Sequence, residues 1–317
     1  MELTITFYNV ENLYDTVDDP DVIDGDFTPG GDLAWDEQRY RTKIDRIAEV
    51  IFATGSDGFP PAFIGLSEVE NEAVLHDLVK HEKLAKLPYK VIHFDSRDVR
   101  GIDVAFLFST SVFELDGTDE LNFEVLTGEE FGARDILHAW GRLTHANETP
   151  MHFFVNHWPS RHGGERESRH KRLAAAERLR ATVDAILNDQ PNAGIVIMGD
   201  FNDEPGDYSL NHILNAGEDP QRPSALFNLG WKPKKRKRGT ISHEGEWFLF
   251  DSIIVNTRLT GSEPPRIRRN ELYIFDEDGT VFYESRSKEG RPNRTFVGHK
   301  YKGGYSDHLA VYCRLSV

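Results

Sequence analysis

The stretch IVIMGDFNDEP, residues 195–205, climbs through four apolar residues suited to a buried strand and then presents Asp200, Asn202, Asp203 and Glu204. A polar loop after one strand is commonplace. Here the pattern repeats. TITFYNVEN carries Asn9 and Glu11 where its apolar run stops, and FIGLSEVEN carries Glu68 and Glu70. FFVNHWPSR ends in Asn156, His157, Ser160 and Arg161. FLFDSIIV holds Asp251, and GGYSDHLAVY sets Ser306, Asp307 and His308 before the last apolar run. A carboxylate drawn out of water by a buried strand needs a partner or a metal. Six such segments in one chain predict that the strand ends meet.

The remaining pattern tells what they meet on. LTITFYNV, AFIGLSEV, YKVIHF, DVAFLF, MHFFVNHW, GIVIMGDF, EWFLFDSIIV and LAVYCRL read as strands buried on at least one face. Residues 41–52, 71–84 and 166–187 repeat apolar residues at helical spacing, the last with Leu173, Ala176, Leu179, Val183 and Ile186 inward. Strands mixed with helices, several joined directly, predict a layered α/β or α+β architecture. No internal repeat or Pro/Gly/Ser-rich linker divides the chain, so residues 1–317 are expected to form one domain. Two polar stretches, 15–35 and 114–134, are too long for simple turns and are expected to be loop excursions.

Oxygen-bearing side chains with two histidines and a single cysteine narrow the chemistry. Cys313 alone excludes a disulfide framework and a cysteine-rich zinc site, and AVYCRL places it in a strand core. Asn, Asp and Glu oxygens suit a hard cation, magnesium, manganese or calcium. His157 and His308 are the groups able to move protons near neutral pH. Together these describe metal-assisted hydrolysis of a phosphate ester. The net charge of -16 argues against a general nucleic-acid coat protein. No run is long and apolar enough for stable membrane insertion, and no obligate protein partner is evident. MELTITFYNV enters a strand with no signal-like region, which as written points to the cytoplasm; a secreted or periplasmic location would require a removed leader.

Taken in order, FYNVENL, SEVEN, RGIDVAFLF, NHWPSR, GDFND, the Asp of FLFDSIIV and the final SDHLAVY resemble the endonuclease/exonuclease/phosphatase superfamily across nearly the whole chain. The resemblance implies an α+β fold of four layers, two packed mixed β-sheets flanked by helices, with the site at one edge. It implies that Asn9 and Glu68 bind the metal, with Asp307 close to the same cation. Asp200 and Asn202 would align the attacking water and hold the phosphate. His308 would contact the phosphate or act as base, oriented by Asp251, and His157 would be the leaving-group acid. Arg100 falls where some nuclease members contact phosphate. Ser160 stands where certain members carry a phosphate-binding Asn, and Arg161 beside it is expected to add basic charge and to bind the substrate phosphate. Whether Asp200 or His308 takes the proton from water stays open at this point.

Some residues are expected to be supporting. Asp203 and Glu204 read as loop caps, Glu11, Glu70 and Asn156 as structural, and Asp103 as a brace for Arg100 or His157. WKPKKRKRGT holds six basic residues in the seven from Lys232 to Arg238. Lying just before Asp251, the run Lys234, Lys235, Arg236, Lys237, Arg238 is expected to attract a nucleic-acid backbone, with Trp231 or Trp247 for stacking. A solvated loop would read the same. The leading expectation is a metal-dependent nuclease. Its alternatives are a phosphomonoesterase or small-molecule or lipid phosphodiesterase with the same chemistry, and, remotely, a non-catalytic binding protein.

Overall fold

A computed structural model describes the chain except residues 124–134, 147–148, 162, 220–225, 278 and 284–289. The chain opens with β1 (Glu2–Leu13), α1 (Glu37–Thr54), β2 (Phe63–Val69), α2 (Glu72–Lys80), β3 (Tyr89–His93) and β4 (Asp103–Ser109). It continues through β5 (Phe113–Leu121), β6 (Ile136–Leu143), β7 (Pro150–His157), α3 (Glu165–Asp189) and β8 (Gly194–Asp200). Then follow β9 (Ala216–Gly217), β10 (Leu226–Asn228), α4 (Trp231–Lys235), β11 (Ile241–His243), β12 (Glu246–Phe248) and β13 (Asp251–Asn256). The last strand, Val311–Ser316, lies beside β1 in a sheet ordered last strand–β1–β2–β4–β3. The second sheet runs β5-β6-β7-β8-β13-β10-β9.

Period-two alternation builds three cores from these two mixed sheets. Phe7, Phe63, Phe106, Phe153, Met198 and Ile253 point between the sheets. The rings of Phe63 and Phe153 stack there at 4.5 Å. A Cβ on Gly65 would come within 2.5 Å of Met198 Sδ, so glycine permits close approach of the sheets. The opposite residues of the first sheet, Tyr8, Ile64, Leu66 and Leu107, pack under α1 and α2. Those of the second, Phe154, Ile195, Ile197 and Ile254, pack under α3. The four layers are those that the resemblance implies.

Two expectations change. Residues 114–121, the start of the predicted second loop, lie in β5, which reads as polar because it is an edge strand with part of its residues in solvent. The rest of that loop, 124–134, lies outside the described residues. EWFLFDSIIV is not one strand: β12 pairs back on β11, the chain breaks at Leu249 and Phe250, and Asp251 begins β13. The excursion at 15–35 exposes Val17 and Ile23 but is anchored at its end. Trp35 is fully buried, donates to Tyr14 O at 3.1 Å and meets the Phe27 ring edge-on.

Candidate active site

Strand register brings three of the expected residues into one row. His157 on β7 pairs with Asp200 on β8, and Asp200 pairs with Asp251 on β13. Across the sandwich, Asn9 on β1 is level with Ser67 on β2. The next residue, Glu68, is a bulge: β2 slips register against β4 between Ser67 and Val69, and Glu68 takes φ 64°. β1 likewise slips between Asn9 and Leu13, with Glu11 and Asn12 at φ 53°. Such bulges re-aim a side chain at the cost of local strain. Here they turn Asn9 and Glu68 toward the row on the second sheet.

The groups then converge. Asn9 Nδ2 lies 3.3 Å from Glu68 Oε1 and 3.1 Å from Asp200 Oδ2. Its Oδ1 accepts from Glu11 N, while Asn12 N donates to Glu68 Oε2. His157 Nε2 stands 3.8 Å from Glu68 and 3.6 Å from Asp200. On the far side, His308 Nε2 is 3.7 Å from the same Asp200 oxygen and its Nδ1 is 2.7 Å from Asp251 Oδ2. Asn202, at φ 49°, gives its N–H to Asp200 Oδ1 and its amide to Trp158 O. Ser306 fixes the last segment, donating to Asn9 O and accepting from His308 N.

Burial sets the electrostatics. It pushes the Asp200 carboxyl up to about 7, with Asp251 adding and His308 opposing. It also works against a charged His308, but Asp251 and Asp200 outweigh it and hold the imidazole well above its usual value. The trio Asp200–His308–Asp251 therefore favours the protonated imidazole between two acids; only with the ring neutral are the three groups placed to serve as a candidate cation cluster. Glu68 and Asp200 converge on one neutral amide, and the ligand atoms that these carboxylates and the Asn9 amide offer a cation are oxygens. That set fits a hard divalent cation and lacks the thiolates of structural zinc.

The peripheral expectations fare differently. Asp307 accepts from Arg294 at 2.8 Å. Arg100 lies 3.5 Å from Asp98, and although burial disfavours its charge, Glu68 and Asp98 strengthen it. Ser160 follows β7 at the same edge, half-buried. Arg161 is not a free phosphate contact: it donates to Asn202 O at 2.7 Å, meets Asp203, Asp207 and Glu165, and lies over the Phe250 ring. Asp203, expected to cap its loop, also holds buried Arg172 at 2.8 Å, a tie to α3 that the sequence did not reveal. Asp103 braces neither Arg100 nor His157, but faces His93 at 3.5 Å.

The basic run does not stand free either. Lys234 pairs with Glu204, Lys235 with Glu218, Arg236 with Glu271 and Arg238 with Asp276. An acidic chain places carboxylates beside most of its cations, and sequence proximity alone does not reveal those partners. Sequence reasoning also missed Lys43 and Arg294. Lys43 is buried on α1, bonded to Thr295 Oγ1 at 2.6 Å and 3.7 Å from Glu11. Burial and Asp307 push Glu11 up to about 7 against the pull of Lys43. The sole signal was a lysine on the apolar stripe of α1.

Residues 4–317 match the model of the Endonuclease/Exonuclease/phosphatase family. By sequence, no curated protein matches the chain. Among solved structures it is similar to the human Nocturnin catalytic domain with bound sulfate (14% identity, 99% of this chain and 94% of that one, TM-score 0.59). It is also similar to a humanized D. rerio TDP2 (15%, 100% and 99%, 0.60). A third is the mannosyl-6-phosphatase of Bacteroides thetaiotaomicron (16%, 99% and 100%, 0.58). At these identities the likeness is one of fold.

Proposed function

Because the chain belongs to the endonuclease/exonuclease/phosphatase family, we propose that it is a divalent-metal-dependent phosphoester hydrolase, and that its substrate is a phosphodiester of nucleic acid. The observation that carries this reading is the pair of imidazoles on either side of one carboxylate. His157 Nε2 and His308 Nε2 lie 3.6 and 3.7 Å from Asp200 Oδ2.

Each part has work suited to its surroundings. Asp200, with a carboxyl pushed up to about 7, is poised to take a proton from water. His308, held as imidazolium by Asp251, supplies a charged donor to the phosphoryl oxygens rather than a base. This favours Asp200 over His308 for water activation. His157, on the other flank, donates to the departing alkoxide. Asn202, pinned by Trp158 and Asp200, orients the phosphate. Glu68 and Asp307, with Asn9 between Glu68 and Asp200, would hold the cation, which supplies charge neutralisation at the phosphoryl group.

The second reading, a small phosphate ester substrate, is favoured by the ion pairs that tie up the basic run. One experiment separates them: supercoiled plasmid, single-stranded RNA and sugar phosphates, each incubated with purified protein in magnesium, manganese or EDTA, beside His308→Ala. Metal-dependent nicking or RNA cleavage abolished by His308→Ala supports the nuclease. Phosphate release from sugar phosphates alone replaces it with the second reading. No turnover of any substrate in any metal would sink both.

A further inference from the structure

At the same end of the first sheet as Glu68, His93 ends β3 and Asp103 begins β4, and Asp103 pairs with Val69, the residue after Glu68. The His93 side chain is 3% exposed and its Nε2 has no hydrogen-bond partner. That nitrogen points at Asp103 Oδ2, 3.5 Å away, too far for a hydrogen bond. Two donors on a shared ion at tetrahedral geometry sit about 3.4 Å apart. Asp95, almost wholly in solvent, brings a second carboxylate 3.7 Å from the other ring nitrogen. One ligand atom from each of the three residues lies within 4.8 Å of the other two.

We infer that His93 through Nε2, Asp103, and Asp95, whose exposed side chain is able to turn from Nδ1 toward the same ion, form a second cation site made of residues other than those of the hydrolytic centre, and that it takes a first-row divalent transition metal such as zinc or cobalt. One imidazole with two carboxylates favours those ions over magnesium, which prefers oxygen and water. Solvent, through Asp95, completes the coordination. A small cavity beside Asp103 adds Glu120 and Asp135 to its wall. Burial, then Glu120, raise the Asp135 carboxyl to about 7, against the opposing charge of Arg97.

The site would act as a clasp. The segment between its ligands is already folded on itself: Asp103 Oδ1 accepts from Ser96 N, Ser96 Oγ from Asp98 N, and Asp98 Oδ1 from Arg100 N. An ion held by His93, Asp95 and Asp103 would close both ends of the loop that carries Arg100.

The test uses full-length metal-free protein and zinc alone, with binding read by calorimetry and by metal content after desalting. Glu68→Gln is the background, so that zinc at the hydrolytic centre does not mask the signal. One zinc equivalent is expected there, with a rise in melting temperature that grows with zinc concentration. Adding His93→Gln removes the equivalent and the rise; adding Asp95→Asn, on the surface and harmless to folding, weakens binding by about tenfold or more. Cobalt is expected to show absorption bands that change with His93→Gln. Retention of the zinc equivalent in both variants, or its absence from the Glu68→Gln protein, overturns the inference. The second result would leave His93 as an imidazole braced between two acids. Neither outcome depends on hydrolysis, so the proposed activity and this site fail separately.

Discussion

His308 Nδ1 lies 2.7 Å from Asp251 Oδ2, the closest contact between two charged groups in the row that crosses the second sheet. Asp251 is 1% exposed and its other oxygen has no hydrogen-bond partner, so its charge is spent on the imidazole. As both neighbours of the ring are carboxylates, Nδ1 must donate to Asp251, which leaves Nε2–H directed at Asp200. Asp251→Asn keeps the shape but removes the charge that holds the ring protonated. kcat is expected to fall by about 10²–10⁴-fold with KM nearly unchanged. The His308 titration, followed by NMR, is expected to move down toward its ordinary range. An unaltered titration would show that Asp251 does not control the ring.

Asp200 makes an opposite prediction for stability. Its folded carboxyl titrates at about 7, above the ordinary 3.8, because burial disfavours the charged form. With a raised folded value, the folded state binds the extra proton between those two pH values. Stability is therefore full below about 4 and is lost as pH rises through about 7. Asp200→Asn removes that loss while deleting the proposed base. In EDTA, its melting temperature is expected to exceed wild type by about 2–4 °C at pH 8 and by much less at pH 5. Thermal melts at the two pH values decide it; an equal difference at both would mean that the carboxyl is not held protonated.

Lys43 anchors the strained turn behind Asn9. Its ammonium reaches Thr295, Tyr305 O and Glu11, all inside the protein, and burial pulls its pKa down against the pull of Glu11. Removing one member of such a pair leaves the other charge uncompensated. Lys43→Ala is expected to cost about 3–5 kcal/mol, read from urea unfolding midpoints. Lys43→Met with Glu11→Gln, which deletes both charges and keeps the bulk, should recover most of it. A double variant no better than the single one would put the loss down to packing.

These residues mark the limit of what could be read in advance. The strands around Asn9, Glu68, His157, Asp200 and His308 were legible because each couples an apolar run to a polar end, a pattern confined to a few consecutive residues. The three main helices were legible by the spacing of residues such as Ile44, Ile47 and Ile51. β5 was not, since an edge strand with Glu114, Asp116 and Asp119 in solvent has the composition of a loop. The bulge at Glu68 was invisible too: register slips depend on the neighbouring strand, here β4, rather than on SEVEN itself. The basic run shows the same limit in electrostatics. Its charge was plain, but its partners Glu204, Glu218, Glu271 and Asp276 lie 17 to 38 residues away and only the fold brings them in.

Arg161 separates a phosphate contact from a brace by experiment. Its guanidinium joins Asn202 O to Asp203 and Asp207, and Asp203 in turn holds Arg172, which is 1% exposed. Asp203→Ala would strand Arg172 without a counter-charge and is expected to cost about 3–5 kcal/mol in unfolding free energy. Arg161→Gln removes one outer link and should cost about 1–2 kcal/mol. It should lower kcat by freeing the loop that carries Asn202, while KM stays within about threefold because no uniform binding contact is lost. A large rise in KM at unchanged kcat and stability would instead make Arg161 a substrate contact, and the ion pairs with Asp203 and Asp207 would have to open when substrate binds.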